Sequence, residues 1–366
     1  MNYHFSGEEN LDSPSLIYYR DIIEENINRA IGLAGKADRL WPHMKTHKTA
    51  ALLKMQIERG ISRFKCATIA EAELCTMAGA ACVLVAYPLV GPAIGRFVKL
   101  RELYAGTDFW AMGDDTEQLE LLGKAASATG SKTPINTLID VNLGMNRTGV
   151  LPEKLEDFYR KAVTIKGLGI RGFHCYDGHL GIKDPGERRT AVSLATEKFW
   201  EVKKSLEKQG YEIPVLVMGG TPTFVCHRET ENVFLSPGTF FVQDYGYSSK
   251  FQDLAFTPGA AILSRVVSHP AAGLFTVDTG SKAIAADPVD RGIIVDFPQA
   301  IPVLQSEEHW VWKLEGSDVP AIGTILYIIP THICPTSALY PGVVVVKDGK
   351  KADYWEVGAR NRKITV

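Results

Sequence analysis

Hydrophobic and polar positions follow a regular alternation from about residue 15 to residue 247. An amphipathic helix is predicted over 21–33, where Ile22, Ile23, Ile27 and Ala30 recur on one side. Strand-like runs then come at 39–45, 63–67, 82–87, 108–112, 135–141, 170–176, 214–218 and 232–235, with helical periodicity between them. The helices carry their own starts: Thr68-Ile69-Ala70-Glu71 spells a capping box before a helix that Gly79 closes, and Asp114-Asp115-Thr116-Glu117 opens another. Strand and helix alternating in this way predict parallel βα units, and eight units predict an α/β fold closed as a (β/α)8 TIM-type barrel. Pro42 is the discordant residue, because proline weakens an interior strand.

Near Tyr247 the rhythm changes. Runs of β character at 260–267, 274–278, 292–296, 310–314, 324–329, 343–346 and 355–357 are separated by turns, and helical periodicity is nearly absent. The expectation is a barrel over 13–247 and an antiparallel all-β C-terminal domain over 248–366, completed by residues 1–12.

Composition narrows the function. With 366 residues and 45% hydrophobic content the chain can bury a large core. Its 40 basic and 42 acidic residues give a net charge of −2 and no basic stripe, so small molecules are expected as partners, with no nucleic acid and no membrane. The six cysteines form no CxxC and the first residues make no charged-then-apolar leader, which predicts reduced thiols in a cytoplasm. No apolar run approaches the roughly 20 residues that span a bilayer.

Candidate chemistry falls where a barrel would collect it, at the carboxyl ends of the strands. In the 39–45 run, period two puts Trp41, His43 and Lys45 on one face, and Lys45 ends the strand just before a helix that Gly60 stops. Polar residues follow later strands: Thr68, the 142–147 stretch with Arg147, and the 174–179 stretch with Tyr176. Gly219-Gly220-Thr221-Pro222-Thr223 and Ser236-Pro237-Gly238-Thr239 are Gly/Thr turns after the last two strands, where barrels present backbone N–H groups to a phosphate. A phosphate, an arginine and a strand-end lysine suggest pyridoxal phosphate on a Schiff base; glycines that merely close loops beside a solvated lysine are the plainer reading. In the second domain His332 and Cys334 stand two apart after an apolar strand, facing the same way if the segment is extended. They suit Zn²⁺ or a similar ion, or else are a packed cysteine beside an ordinary histidine. Gly167 to Gly172 spells GxGxxG but precedes a strand, and the sequon at Asn146 lacks a secretion signal, so neither carries weight.

Together these motifs resemble the fold-type III pyridoxal-phosphate family of alanine racemase, and more closely its D-threonine aldolase and D-serine dehydratase branch. Pro42-His43-Met44-Lys45-Thr46-His47-Lys48 resembles the Schiff-base segment, and Gly144-Met145-Asn146-Arg147-Thr148-Gly149 resembles the segment whose arginine lies near the cofactor's phenolic oxygen. Gly219-Gly220-Thr221-Pro222 and Pro237-Gly238-Thr239 resemble the phosphate turns, Tyr176 the tyrosine at the cofactor ring, and His332 to Thr336 the metal segment that racemases lack. The resemblance runs from about residue 13 to the C-terminus. It implies pyridoxal 5′-phosphate, a divalent metal (Zn, Mn or Mg), an amino-acid substrate and a head-to-tail homodimer. Cys334 matches the dehydratases at the second metal position, where aldolases place Asp, while the character around Gly220 to Thr223 is closer to aldolases.

The leading reading is a D-threonine aldolase-like lyase cleaving D-3-hydroxy amino acids to glycine and an aldehyde. Lys45 would hold the cofactor, the metal would lower the pKa of the β-hydroxyl, and His47 would act as base. The alternative is a D-serine or 3-hydroxy-D-aspartate dehydratase giving a 2-oxo acid and ammonia, in which freed Lys45 removes the Cα proton. A non-catalytic cofactor carrier is disfavoured by the large β-domain, and a racemase by the lack of a tyrosine base.

Overall fold

The protein is described from a computed structural model covering residues 2–316 and 318–366. Its strands, in chain order, are β1 (Ser15–Tyr19), β2 (Arg63–Cys66), β3 (Cys82–Val85), β4 (Asp108–Gly113), β5 (Ile135–Asn142), β6 (Leu168–Tyr176), β7 (Val215–Met218) and β8 (Val233–Leu235). After these come β9 (Ala260–Ser268), β10 (Leu274–Val277), β11 (Gly292–Ile294), β12 (Ile301–Gln305), β13 (Trp310–Lys313), β14 (Ile325–Pro330), β15 (Gly342–Lys347) and β16 (Lys350–Glu356). Two compact units share them: one takes Ala30–Lys45, Ala51–Gly238 and Asn361–Val366, and the other takes the N-terminal residues through Arg29, Thr46–Ala50 and Thr239–Arg360.

In the first unit β2 to β8 form one parallel sheet in sequence order, the arrangement that strand–helix alternation predicts. Local chemistry starts the helices as expected. The Thr68 hydroxyl accepts the Glu71 N–H ahead of Ile69–Met77, and Asp115 accepts the Gln118 N–H ahead of Thr116–Ala128.

The expected strand over 39–45 is corrected by the structure, since no ladder forms there. Leu40 makes an isolated parallel bridge to Leu235 of β8, and His43 makes another to Lys65 of β2. The segment thus joins the two edges of the seven-stranded sheet and takes the place of the eighth stave. Trp41 N–H donates to Leu235 O at 2.8 Å, His43 N–H to Pro237 O at 2.8 Å, and Lys65 N–H to Pro42 O at 2.7 Å. Pro42 has no N–H to return, so the pairing stops at single bonds, and Met44–Thr46 winds into a 3-10 turn. The alternation of faces survives the missing ladder. Trp41 fills the barrel interior, edge-on to Trp110 at 5.4 Å and to Phe234 at 5.3 Å, with Leu84, Met112, Leu138 and Val217 packed in the same core.

The second unit is a nine-stranded sheet ordered β12-β13-β10-β9-β1-β15-β16, with β14 pairing both β9 and β11. Most pairs are antiparallel; β1 runs antiparallel to β9 and parallel to β15, so the sheet is mixed and not purely antiparallel. Strand β1 was not foreseen as a strand. Its alternate residues Ile17 and Tyr19 pack with Tyr3, Phe5, Leu263 and Tyr327 in the core of this unit. The region expected to be nearly without helical periodicity contains Ile333–Leu339, and a second short helix, Tyr245–Lys250, straddles its expected start. Among the described residues no helix is long and apolar enough to cross a membrane, and the six cysteines are free thiols.

Candidate active site

The barrel interior changes from apolar to charged one layer above Trp41. Period two carries Lys65 of β2, Asp140 of β5 and His174 of β6 to this level, with Asp140 and His174 paired across the ladder. His174 Nδ1 donates to Asp140 Oδ1 at 2.7 Å, and Asp140 Oδ2 also accepts the Thr148 hydroxyl at 2.7 Å. Burial first, then the nearby Lys65 charge, lowers the His174 pKa. A neutral ring with its proton on Nδ1 offers the Nε2 lone pair to Lys65 Nζ, 3.3 Å away. Burial, followed by the Lys45 charge, pushes Lys65 down to about 7.

Above this layer lies a cavity of about 580 Å³. Lys45, Arg147 and Tyr176 all line it, as do His43 and Lys65. The Arg147 guanidinium lies 4.9 Å from the Tyr176 ring centre and Lys65 Nζ 5.6 Å from the same ring. The loop carrying Arg147 is shaped by Asn142, whose Oδ1 accepts the N–H groups of Gly144 and Asn146 at 3.0 and 3.1 Å.

The two Gly/Thr turns do not line this cavity; they support residues that do. A Cβ on Gly220 would meet the Tyr176 ring at 2.9 Å, and a Cβ on Gly238 would meet His43 O at 3.0 Å, so glycine lets both turns close on the cavity wall. Thr221 and Gly238 are brought together, the Gly238 N–H donating to Thr221 Oγ1 at 3.2 Å. Thr239, the next residue, belongs to the other unit and is buried there, its hydroxyl 3.7 Å from Cys334 Sγ.

In that second unit the expected extended His–Cys segment is corrected. His332 is extended but sits at the N-cap, and Cys334 lies in the first turn of Ile333–Leu339. Cys334 is nonetheless near enough to act on His332, and its influence, against opposing burial and with help from Asp287, raises His332 to about 9. Asp287 Oδ2 meets His332 Nδ1 at 2.6 Å, and the Thr46 hydroxyl meets Cys334 Sγ at 3.1 Å. Thr46 directly follows Lys45 in the chain. His47 is fully buried; its Nδ1 accepts the Thr49 N–H at 3.2 Å, which leaves the ring proton on Nε2. Burial and the Lys48 charge lower His47 to about 3, so the ring is neutral, and the lone pair a base would use is the Nδ1 that already accepts the Thr49 N–H.

The residues fit pyridoxal phosphate in size and charge: the cavity falls in the range that small cofactors occupy, and three cations surround one aromatic wall. For a metal the fit is narrower. Among the described residues no group of three or more His, Cys, Asp or Glu side chains converges, so His332 and Cys334 would hold an ion as a pair. Asp287 on His332 Nδ1 is the arrangement that orients a ligating imidazole.

Sequence reasoning missed Lys65 and Asp140, and met His174 only as part of a polar stretch. The signal was present for Asp140 and His174, which fall on the face that period two turns inward, but Lys65 shares its face with Arg63 in a four-residue strand and did not stand out.

Comparison with known proteins identifies the family. The family described as "Alanine racemase, N-terminal domain" matches residues 19–245, and "Putative serine dehydratase domain" matches residues 259–346. A D-threonine aldolase of Arthrobacter sp is 27% identical over 358 residues, covering 96% of this chain and 93% of that protein. A 3-hydroxy-D-aspartate aldolase of Paracoccus denitrificans is 28% identical over 372 residues, covering 97% and 94%. The crystal structure of D-threonine aldolase from Filomicrobium marinum superposes with a TM-score of 0.89 at 26% identity, covering 98% of each chain. With more than half its length matched, the chain belongs to the alanine racemase N-terminal domain family, carries a D-serine dehydratase-like domain behind it, and is a pyridoxal-phosphate-dependent enzyme of the lyase type.

Proposed function

We propose that the protein is a D-3-hydroxy amino acid lyase that splits the Cα–Cβ bond of its substrate, giving glycine and an aldehyde, in the manner of a D-threonine aldolase. The observation that carries this reading is the cavity in which Lys45, Arg147 and Tyr176 converge. Pyridoxal phosphate held by Lys45 supplies the electron sink for negative charge at Cα. Arg147 and Tyr176 bind and orient the cofactor ring. Thr221, Gly238 and Thr239 are the residues assigned to the cofactor phosphate through hydroxyl and backbone N–H donors, although their turns stand behind the cavity wall and do not line it. His332 and Cys334 would hold Zn, Mn or Mg, which lowers the pKa of a hydroxyl it binds. His47 acts as the base by taking the released proton on the Nδ1 lone pair, which must first leave the Thr49 N–H.

Dehydration to a 2-oxo acid and ammonia is the second reading, favoured by Cys334, the residue that the dehydratase branch resembles at this position; Lys45 then moves the Cα proton. Working as a homodimer in a reducing cytoplasm accords with the family resemblance and the free thiols. Product analysis separates the readings. Glycine plus acetaldehyde from D-threonine supports the aldolase, a 2-oxo acid plus ammonia from D-serine or 3-hydroxy-D-aspartate supports the dehydratase, and neither product from any of the three sinks both.

A further inference from the structure

Lys65 is the cation of the barrel cavity for which the proposed chemistry has no task, and it is only 2% exposed. Its ammonium has His174 Nε2 at 3.3 Å, but among the described residues no carboxylate lies within ion-pair distance of it. The Asp140 carboxylate is turned to His174 and Thr148 instead. A buried ammonium with no carboxylate in direct contact is disfavoured even where Asp140 and Asp177 stand nearby, and it leaves the cavity wall with donors that an anion can complete.

We propose that Lys65 is the anion-receiving group of the cavity, binding an anionic oxygen that arrives with the ligand: the phenolic oxygen of the cofactor or a carboxylate of the amino-acid substrate. This rests on the reading of Lys45 as the cofactor-bearing residue. The groups facing Lys65 are Lys45 from its turn, Asp140 from β5, Arg147 from the loop after β5, His174 from β6 and Asp177 just beyond it. Lys45 and Arg147 oppose its charge, while Asp140 and Asp177 favour it. In the ligand-free cavity burial leaves Lys65 poised at about 7. An arriving anion reverses the balance, so binding draws a proton onto Lys65. His174 is neutral with Nδ1 committed to Asp140, so it engages one ammonium proton and leaves two for the ligand.

The test is calorimetric. Apoenzyme is titrated with pyridoxal 5′-phosphate, and cofactor-loaded enzyme with D-alanine, each at about pH 8 in two buffers of different ionisation heat. Wild type should take up a proton in one of these titrations. Lys65→Met should abolish that uptake and weaken the same ligand about tenfold or more. Loss in the cofactor titration assigns the phenolic oxygen, and loss in the D-alanine titration assigns the carboxylate. Lys65→Arg, charged throughout, should keep the affinity without the uptake. Unchanged affinities and proton counts in Lys65→Met overturn the inference. If Lys65→Met does not fold, Lys65→Arg decides: uptake as large as in wild type overturns it. Failure of the Lys45 reading looks different, as protein that never turns yellow or never carries borohydride-fixed cofactor on the Lys45 peptide.

Discussion

Asp177 Oδ2 and His227 Nε2 meet at 2.6 Å, and both residues are buried. The other oxygen of Asp177 accepts the Thr223 hydroxyl, which in turn accepts the Gly220 N–H at 2.9 Å. One carboxylate at the end of β6 thus fixes the turn that closes on Tyr176. Asp177→Ala should cost about 3–5 kcal/mol, because it strands buried polar partners. Urea unfolding measures this, and a loss below about 1 kcal/mol, the worth of a surface pair, would show that the network does not hold the turn.

Lys45 should carry the cofactor. Purified protein should be yellow, and borohydride should fix the label on a single peptide. Lys45→Ala should be colourless and inactive. Labelling at Lys48 or Lys54 would rule the assignment out.

Arg147 and Tyr176 share a wall of the cavity. Replacing either by Ala should weaken cofactor retention by roughly 1.5–3 kcal/mol if a charge-assisted contact is lost, read as the cofactor Kd from dialysis or fluorescence. Retention equal to wild type in both variants would place the ring elsewhere.

Chelation should abolish turnover of a 3-hydroxy amino acid and leave the visible absorbance of the cofactor intact. Cys334→Asp should keep metal binding, since carboxylate is also a competent ligand, and shift preference toward harder ions such as Mn²⁺. Full activity after chelation, or active protein without metal by elemental analysis, returns His332 and Cys334 to packing roles.

Lys65 also predicts how stability depends on pH. Its folded pKa of about 7 lies below the ordinary lysine value of 10.5. Between these values the unfolded chain binds the extra proton, so its contribution makes apoenzyme stability rise with pH over that window, by up to about 1.4 kcal/mol per unit. The difference between wild type and Lys65→Met in urea should therefore narrow from pH 7 to pH 9.5, with the variant the more stable at pH 7. A difference flat with pH would mean that Lys65 keeps its charge in the empty cavity.

Much of this was legible in the sequence, for a physical reason. Period two is a property of extended backbone, so it set Trp41 and His43 on one face even where Pro42 prevented a ladder, whereas Lys45 reaches the cavity beside His43 from a 3-10 turn that period two does not describe. Caps such as Thr68 and Asp115 are local and read directly. What escaped was non-local. Ser15–Tyr19 looks like the approach to a helix until β9 and β15, far away in sequence, pair with it. The layer of Lys65, Asp140 and His174 needed the barrel closed before three separated strands could bring it together. The helical turn at Cys334 follows from tertiary bonding, since Asp244 accepts the Ile333 N–H at 3.1 Å.

The position of β1 between β9 and β15 has a consequence for biosynthesis. Its partners begin at Ala260 and Gly342, so the strand leaves the ribosome long before either exists. At the usual pace of translation that wait is on the order of 10–50 s, during which Leu16, Ile17, Tyr18 and Tyr19 have no sheet to enter. The parallel strands β2 to β8 emerge within that interval and can pair with one another. The second unit must instead close over most of the chain's length, a topology that folds slowly and exposes an apolar strand to chaperones and to neighbouring nascent chains.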